Sequence, residues 1–144
     1  MGTDLIGEIQ GRFGCPAQDV RTYAPLTLAY LGDAVYELIV RSVLVSRKDM
    51  QVHHLHEHAT GYVSAAAQAR IAQALLPELT EEELGYYRRG RNAKSFSVPK
   101  HAAVSDYRTA TGFEALCGYL YLTGQTERLL ALVKLGMEQT EGTK

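Results

Sequence analysis

The stretch LAYLGDAVYEL, residues 28–38, is the feature that most constrains what this chain can fold into. Its large apolar residues recur at spacings of three and four, the pattern of a helix that turns one face to a core: Leu28, Leu31, Val35 and Leu38. Gly32 and Asp33 interrupt this pattern, and a glycine inside a helix costs about 1 kcal/mol relative to alanine. Because glycine has no side chain, we expect Gly32 to leave space beside Asp33 for another backbone, a metal or a phosphate.

Helical spacing continues along the rest of the chain, and strand signals are almost absent. The sequence has no sustained alternation of apolar and polar residues and no Asn-Gly or Asp-Gly turn. Pro25 suits a first helical turn, and Thr80 with Glu83 forms the capping box of a helix start. We predict an all-α bundle with helices over residues 3–13, 25–46, 52–61, 64–76, 80–90, 102–122 and 126–139.

Length and composition favour a single domain over residues 1–144. A chain of 144 residues can bury a core of its own. No run of eighteen apolar residues is present, and the first residues lack the basic-then-apolar order of a signal peptide. Cys15 and Cys117 have no metal-type spacing, which indicates free thiols in a reducing compartment. We therefore expect a cytoplasmic protein without a membrane span.

The net charge of −1 hides a strongly basic segment. Residues 88–108 carry a net charge of +5, which leaves −6 for the rest of the chain. The basic residues of this segment are Arg88, Arg89, Arg91, Lys94, Lys100 and Arg108. Because arginine forks are common phosphate ligands, such a segment on an otherwise acidic protein predicts contact with a polyanion. The alternative is a solvated surface turn.

Other residues of this segment would suit a nucleic acid. Asn92 and the serine hydroxyls offer hydrogen bonds to phosphate. Tyr86, Tyr87 and Phe96 could stack on bases or simply pack into the core. Pro99 marks the stretch after Gly90 as a loop.

A second acidic helix is predicted at GFEALCGYLYL, residues 112–122. Glu114 stands there in an apolar run, with Gly118 one turn further along on the same side. Two carboxylates on apolar helices, each near a glycine, could converge between packed helices. Oxygen ligands of this kind suit Mg²⁺ or Mn²⁺. The alternative is that Asp33 and Glu114 face solvent or pair with arginines.

The sequence HHLHEH, residues 53–58, is a weaker candidate for a metal site. His54 and His58 share a helical face, as do His53 and Glu57. A structural zinc site needs about four ligands, and no further motif supplies them, so we favour an exposed polar helix face. Glycine loops for nucleotides and the nucleophile-elbow motif are also absent.

Three segments together resemble the ribonuclease III family. Leu31-Gly32-Asp33-Ala34 resembles the family's first acidic helix, and Glu114-Ala115-Leu116 with Gly118 resembles its second. Between them, HEHATGYVSAAAQARIAQAL resembles the family's middle helices. The likeness is greatest to the Mini-ribonuclease III subfamily, which consists of the catalytic domain alone and whose loop resembles RGRNAKS here. Ala29 and Thr111 stand where the wider family has two further carboxylates.

This resemblance implies a Mg²⁺-dependent endoribonuclease, with Mn²⁺ as a substitute, that cuts double-stranded RNA. It implies that Asp33 and Glu114 are the catalytic and metal-binding residues, and that the RNA-binding residues are Arg88, Arg89, Arg91, Asn92, Lys94 and Lys100. A homodimer is implied, in which Gly32 and Ala34 would allow close packing across the two-fold axis. The implied substrate is precursor large-subunit (23S) ribosomal RNA, with neither membrane nor nucleotide cofactor involved. The alternative is a non-catalytic relative that binds structured RNA or the ribosome.

Overall fold

The computed structural model describes residues 4–93 and 103–142, and over these ranges it is built from α-helices with no strand. The predicted all-α class is therefore confirmed. The helices are α1 Leu5–Arg12, α2 Pro25–Arg47, α3 Val52–Val63, α4 Ala65–Leu75, α5 Glu81–Asn92, α6 Val104–Leu122 and α7 Thr126–Gly142. None of the described helices is both long enough and apolar enough to cross a bilayer.

Local sequence signals start and end these helices. Pro25 begins α2. The predicted capping box at the start of α5 is present: the backbone N–H of Glu83 donates to Thr80 Oγ1, and the backbone N–H of Thr80 donates to the side chain of Glu83. Helix α3 runs two residues beyond its predicted end at Gly61, and the side chain of Ser64 then caps α4. Gly124 follows α6 with a φ of +71°, a conformation that glycine adopts without strain.

Helix α6 is the centre of the fold, with α2, α4, α5 and α7 packed around it. Residues on every side of α6 are buried, because neighbouring helices surround it. Phe113 of α6 meets Tyr36 of α2 edge to face, with ring centroids 4.9 Å apart. The hydroxyl of Tyr36 donates to the carbonyl oxygen of Tyr62 at 2.6 Å, which joins the end of α3 to this core. The core thus holds α2, α3 and α6 in one arrangement.

The prediction of which α2 residues face the core is only partly right. Leu28 and Val35 are buried, but Leu31 is half-buried and Leu38 is 55% exposed. The buried stripe instead contains Leu28, Ala29, Gly32, Val35, Tyr36, Val40 and Leu44. The stripe is rotated towards small residues because α2 crosses α6 at very short range, where larger side chains would not fit.

Two glycines make this close crossing of α2 and α6 possible. A methyl group on Gly32 would overlap the carbonyl oxygen of Glu114, and one on Gly118 would overlap the carbonyl oxygen of Leu28. The expectation that Gly32 packs across a dimer axis is therefore wrong, since its free side is filled by α6 of the same chain. Ala34 is exposed.

Candidate active site

The crossing of α2 and α6 brings the two predicted acids together. Asp33 directly follows the glycine that touches the backbone of Glu114. The side chain of Asp33 is exposed and that of Glu114 is half-buried. The two carboxyl groups share a hydrogen bond, which requires one of them to carry a proton. We call Asp33 and Glu114 the acid pair.

The surroundings of Glu114 disfavour its negative charge. Burial raises the pKa of Glu114 to about 8, and the charge of Asp33 and their shared hydrogen bond add to the effect. The Gln68 side chain acts in the opposite direction through a hydrogen bond, while the charge of Glu37 raises the pKa further. Two carboxyls that compete for one proton in a partly buried place form a site that favours a cation.

Glu37 lies one helical turn after Asp33 and is half-buried. Its carboxylate forms an ion pair with Arg41 at 3.5 Å, one turn further along α2. The carboxylate of Glu37 therefore adds negative charge near the acid pair, and its exposed ion pair with Arg41 offsets only part of that charge.

Gln68 of α4 is a site residue that the sequence analysis missed. Its side chain is buried, its Nε2 donates to the carbonyl oxygen of Val63 at 2.9 Å, and its amide also contacts Glu114. Its Oε1 is buried without a hydrogen-bond partner in the described part of the chain. One signal was available in the sequence: a glutamine in the run AAAQARIA occupies a helix that otherwise buries small apolar residues.

The positions of the two absent family carboxylates are closed to solvent. Ala29 and Thr111 are both buried. Thr111 Oγ1 donates to the carbonyl oxygen of Tyr107 at 2.9 Å, one turn earlier on α6, so its hydroxyl is occupied within its own helix. Neither Ala29 nor Thr111 can therefore supply the negative charge that a carboxylate would carry at these two positions.

The donors at the acid pair fit a hard divalent cation better than zinc. Carboxylate and amide oxygens are the ligands of Mg²⁺ and Mn²⁺, whereas zinc favours histidine and cysteine. Among residues 4–93 and 103–142, no group of three or more His, Cys, Asp or Glu side chains is placed to hold a metal. The predicted histidine cluster on α3 is exposed, with the rings of His53 and His54 in contact. Asp33, Glu114 and Gln68 thus each have a side-chain oxygen at or next to the acid pair.

The C-terminal end of α5, which packs against α6, carries four of the predicted RNA-binding residues. We call Arg88, Arg89, Arg91 and Asn92 the basic turn. A methyl group on Gly90 would come within 3.0 Å of Gly112 Cα and 2.6 Å of Ala115 Cβ. The basic turn therefore lies against the same stretch of α6 that holds Glu114. Lys94, Lys100 and Phe96 lie outside the described residues.

Arg88 and Arg89 of the basic turn are exposed and Arg91 is half-buried, whereas the tyrosines that precede the turn are packed. Arg88 is exposed and forms no ion pair with any residue that the structure describes. The guanidinium of Arg89 lies 5.5 Å from the ring centre of Tyr86, a distance at which cation and ring attract. Tyr86 and Tyr87 are buried, and Tyr86 stacks on Tyr119 at 3.9 Å. Both tyrosines are therefore packed into the core and do not offer their rings for stacking on bases.

The sequence profile of the Ribonuclease III domain matches residues 26–125, a range that includes the acid pair, Gln68 and the basic turn. The chain belongs to the ribonuclease III family. Membership of this family makes it an endoribonuclease of the ribonuclease III type.

This ribonuclease III-family chain is similar to several curated bacterial proteins named Mini-ribonuclease 3. It is 52% identical over 120 residues to that of Symbiobacterium thermophilum, covering 83% of this chain and 92% of the relative. Identity to the Thermoanaerobacter protein is 42% over 141 residues, covering 98% and 99%. Identity to the Brevibacillus brevis protein is 50% over 118 residues, covering 82% and 88%. The resemblance to the Mini-ribonuclease III subfamily is thereby confirmed.

A solved structure supports the fold of this ribonuclease III-family chain. The crystal structure of a protein from Fusobacterium nucleatum matches it with a TM-score of 0.76 at 29% sequence identity. The match covers 85% of this chain and 98% of the other. The α6-centred arrangement that brings the acid pair together is therefore shared by an experimental structure over most of its length.

Proposed function

We propose that this chain is a Mg²⁺-dependent endoribonuclease that hydrolyses double-stranded RNA, with Mn²⁺ as a substitute metal. The observation that carries the proposal is the acid pair, formed by Asp33 and Glu114. The basic turn, which packs against the helix of Glu114, supports it with exposed arginines. Carboxylates that hold a cation next to arginines that hold phosphate are what phosphodiester hydrolysis requires.

The acid pair would hold Mg²⁺ through its carboxylate oxygens. The metal, when bound, lowers the pKa of the attacking water and neutralises charge that develops on the scissile phosphate. Glu114 must release its proton to become a ligand. Asp33, exposed beside it, would orient the attacking water, and Arg88 and Arg89 would position the RNA backbone through its phosphates. The expected products carry a 5′-phosphate and a 3′-hydroxyl.

Double-stranded RNA is the substrate class that the basic turn suits. A-form RNA is recognised mainly through its phosphates, 2′-hydroxyls and shape, and exposed arginines supply contacts of this kind. We infer a cytoplasmic role in maturation of precursor large-subunit (23S) ribosomal RNA from the resemblance to the Mini-ribonuclease III subfamily. Comparison of ribosomal RNA ends from cells with and without the protein tests this role, and unchanged ends would exclude it.

The test of the proposed activity is incubation of long double-stranded RNA with the protein at millimolar Mg²⁺. We expect the duplex to be cut into shorter fragments whose 5′ ends are ligated without prior phosphorylation. A single-stranded RNA of the same length and a reaction with EDTA are the controls, and neither should be cut. If the protein retards duplex RNA in a gel but leaves it intact, the non-catalytic RNA-binding alternative holds instead.

The basic turn provides a separate prediction for RNA binding. Replacement of Arg88 and Arg89 by Ala should weaken binding to duplex RNA about 10-fold and reduce the slope of log affinity against log salt by about two, because two phosphate contacts are lost. Filter binding at several salt concentrations measures both quantities.

The matched control for this variant removes the same charge elsewhere. Arg12 and Lys48 are exposed at the ends of α1 and α2. Their double replacement by Ala should leave the salt slope unchanged. An equal loss of affinity in both double variants would mean that net charge, rather than the basic turn, drives RNA binding.

We propose that two copies of the chain pair through an apolar groove between α1, α2 and α7. Leu5, Leu38 and Leu130 line this groove and are all exposed, and apolar side chains clustered in this way are typical of an interface. Exposed Ala34 lies at the same groove, on the helix that carries Asp33. A second copy of the same groove is the partner that a two-fold axis would supply.

Sedimentation should give twice the monomer mass at micromolar concentration, and Leu38→Asp should give the monomer, because a charge would be buried in the interface. Val52→Asp is the control, since Val52 is exposed on α3 away from this groove. A wild-type protein that sediments as a monomer would contradict the proposed pairing.

A further inference from the structure

The amide of Gln68 is held in one orientation by the junction between α3 and α4. Its Nε2 donates to the carbonyl oxygen of Val63 at 2.9 Å. Because a carbonyl oxygen only accepts hydrogen bonds, the nitrogen side of the amide must face Val63, and the position of the amide oxygen follows. The backbone N–H of Gln68 donates to the carbonyl oxygen of Ser64 at 2.9 Å, which fixes the start of this side chain in the first turn of α4.

The oxygen of this amide is left without a donor. Gln68 is 3% exposed, and its Oε1 has no hydrogen-bond partner in the described part of the chain. A buried acceptor of this kind is uncommon in folded proteins and points to a missing ligand, ion or water. The N–H of the same amide donates to the carboxyl of Glu114, which is why this contact lowers the pKa of Glu114. The unpartnered oxygen therefore belongs to a group that lies next to the acid pair.

The acid pair has few ligands for the metal that it would hold. Mg²⁺ takes six oxygen donors in an octahedral arrangement. Asp33 and Glu114 supply carboxylates, whereas Ala29 and Thr111 supply none, and the carboxylate of Glu37 is paired with Arg41. A neutral amide oxygen is a suitable further donor for Mg²⁺ or Mn²⁺.

We propose that Gln68 is a third protein ligand of the metal centre, with Oε1 as the donor atom. This inference rests on the proposed function, because it assumes that the acid pair binds Mg²⁺ or Mn²⁺. The contacts with Val63 and Glu114 both use the amide N–H groups, so the oxygen is the atom of the amide that is left for the cation. Helix α4 thus supplies one of the donors that α2 and α6 lack.

Two substitutions at this position separate ligation from a structural role. Gln68→Met and Gln68→Glu both remove the amide N–H groups that donate to Val63 and Glu114, but only Gln68→Met removes the oxygen. Binding of Mn²⁺ to each metal-free variant is measured by electron paramagnetic resonance, which reports the free ion. Gln73→Met is the control, because Gln73 is exposed on the same helix.

We expect Gln68→Met to weaken Mn²⁺ binding about 10-fold or more and Gln68→Glu to bind at least as tightly as the wild type, because a carboxylate replaces the amide oxygen. Gln73→Met should bind as the wild type does. Equal weakening in both Gln68 variants would overturn the proposal and leave Gln68 as a structural residue. Wild-type affinity in Gln68→Met would overturn it as well.

A measurement on the wild-type chain needs no substitution at Gln68. In protein labelled with ¹³C, addition of Mg²⁺ should shift the side-chain Cδ resonance of Gln68 and leave that of Gln73 in place. If the protein binds Mg²⁺ and the Gln68 resonance does not move, this inference alone fails. If the wild type binds neither Mg²⁺ nor Mn²⁺, the proposed metal-dependent function fails with it.

Discussion

Glu114→Gln is expected to reduce cleavage of double-stranded RNA by about 10³-fold or more while RNA binding is retained. The amide has nearly the same shape as the carboxyl but cannot carry the negative charge that holds a divalent cation. The basic turn, which would supply the phosphate contacts, is unchanged. Single-turnover cleavage and gel retardation with the same duplex measure the two effects.

The control for this variant is Glu138→Gln, because Glu138 is exposed on α7. It should cut RNA at the wild-type rate. Cleavage by Glu114→Gln within 10-fold of the wild type would remove Glu114 from the catalytic centre. Loss of RNA binding in parallel with cleavage would indicate that the substitution disturbs the fold rather than the chemistry.

The metal-free protein offers a second readout of the same substitution. Folded Glu114 keeps its proton up to a pH of about 8, whereas the same group in the unfolded chain releases it near pH 4.5. Between these values the folded state binds more protons, so the free energy of unfolding falls as the pH rises. Glu114→Gln should lack this contribution, and its melting temperature should fall less than that of the wild type from pH 5 to pH 8.

Gly32→Ala is expected to destabilise the fold by about 3 kcal/mol or more, or to prevent folding. The added methyl group would occupy the place of the carbonyl oxygen of Glu114. Neither backbone can move without separating α2 from α6, which carry most of the core, and overpacking of this kind is costly. The same separation would move Asp33 away from Glu114. Chemical denaturation measures the loss of stability.

Gly61→Ala is the matched control for this substitution. Gly61 lies inside helix α3 with nothing within 4 Å of the position of an added methyl group. There alanine should stabilise the protein by about 0.5–1 kcal/mol, through its higher helix propensity and a less flexible unfolded chain. A loss below about 1 kcal/mol for Gly32→Ala would contradict the close crossing of α2 and α6.

Helix starts and the all-α class could be predicted from the sequence because local chemistry decides them. The capping box at Thr80 and the proline at residue 25 act within one turn, and both were found where they were expected. The face of α2 could not be predicted from spacing alone. Leu38 follows the apolar period but is exposed, because the short crossing distance turns the smaller residues of α2 towards α6.

The residues of the candidate site could likewise be predicted only in part. Asp33 and Glu114 could be picked out because charges in apolar helices and nearby glycines are visible in the sequence, and the structure places them together. Their roles remain proposals. Gln68 was missed because its significance lies in an unpartnered atom, which is a property of the packed chain and not of any local pattern. The role of Gly32 was misassigned because the sequence does not say which backbone fills the space beside it.

The contact between Gly32 and Glu114 joins residues about 80 positions apart in the chain. The acid pair therefore exists only once α2 and α6 have met, and no short segment of the unfolded chain can reproduce it. A cation that needs both carboxylates binds the native state and not the unfolded one, so it must shift the folding equilibrium by mass action. The melting temperature of the wild type should therefore rise with the fraction of molecules whose acid pair has bound a cation.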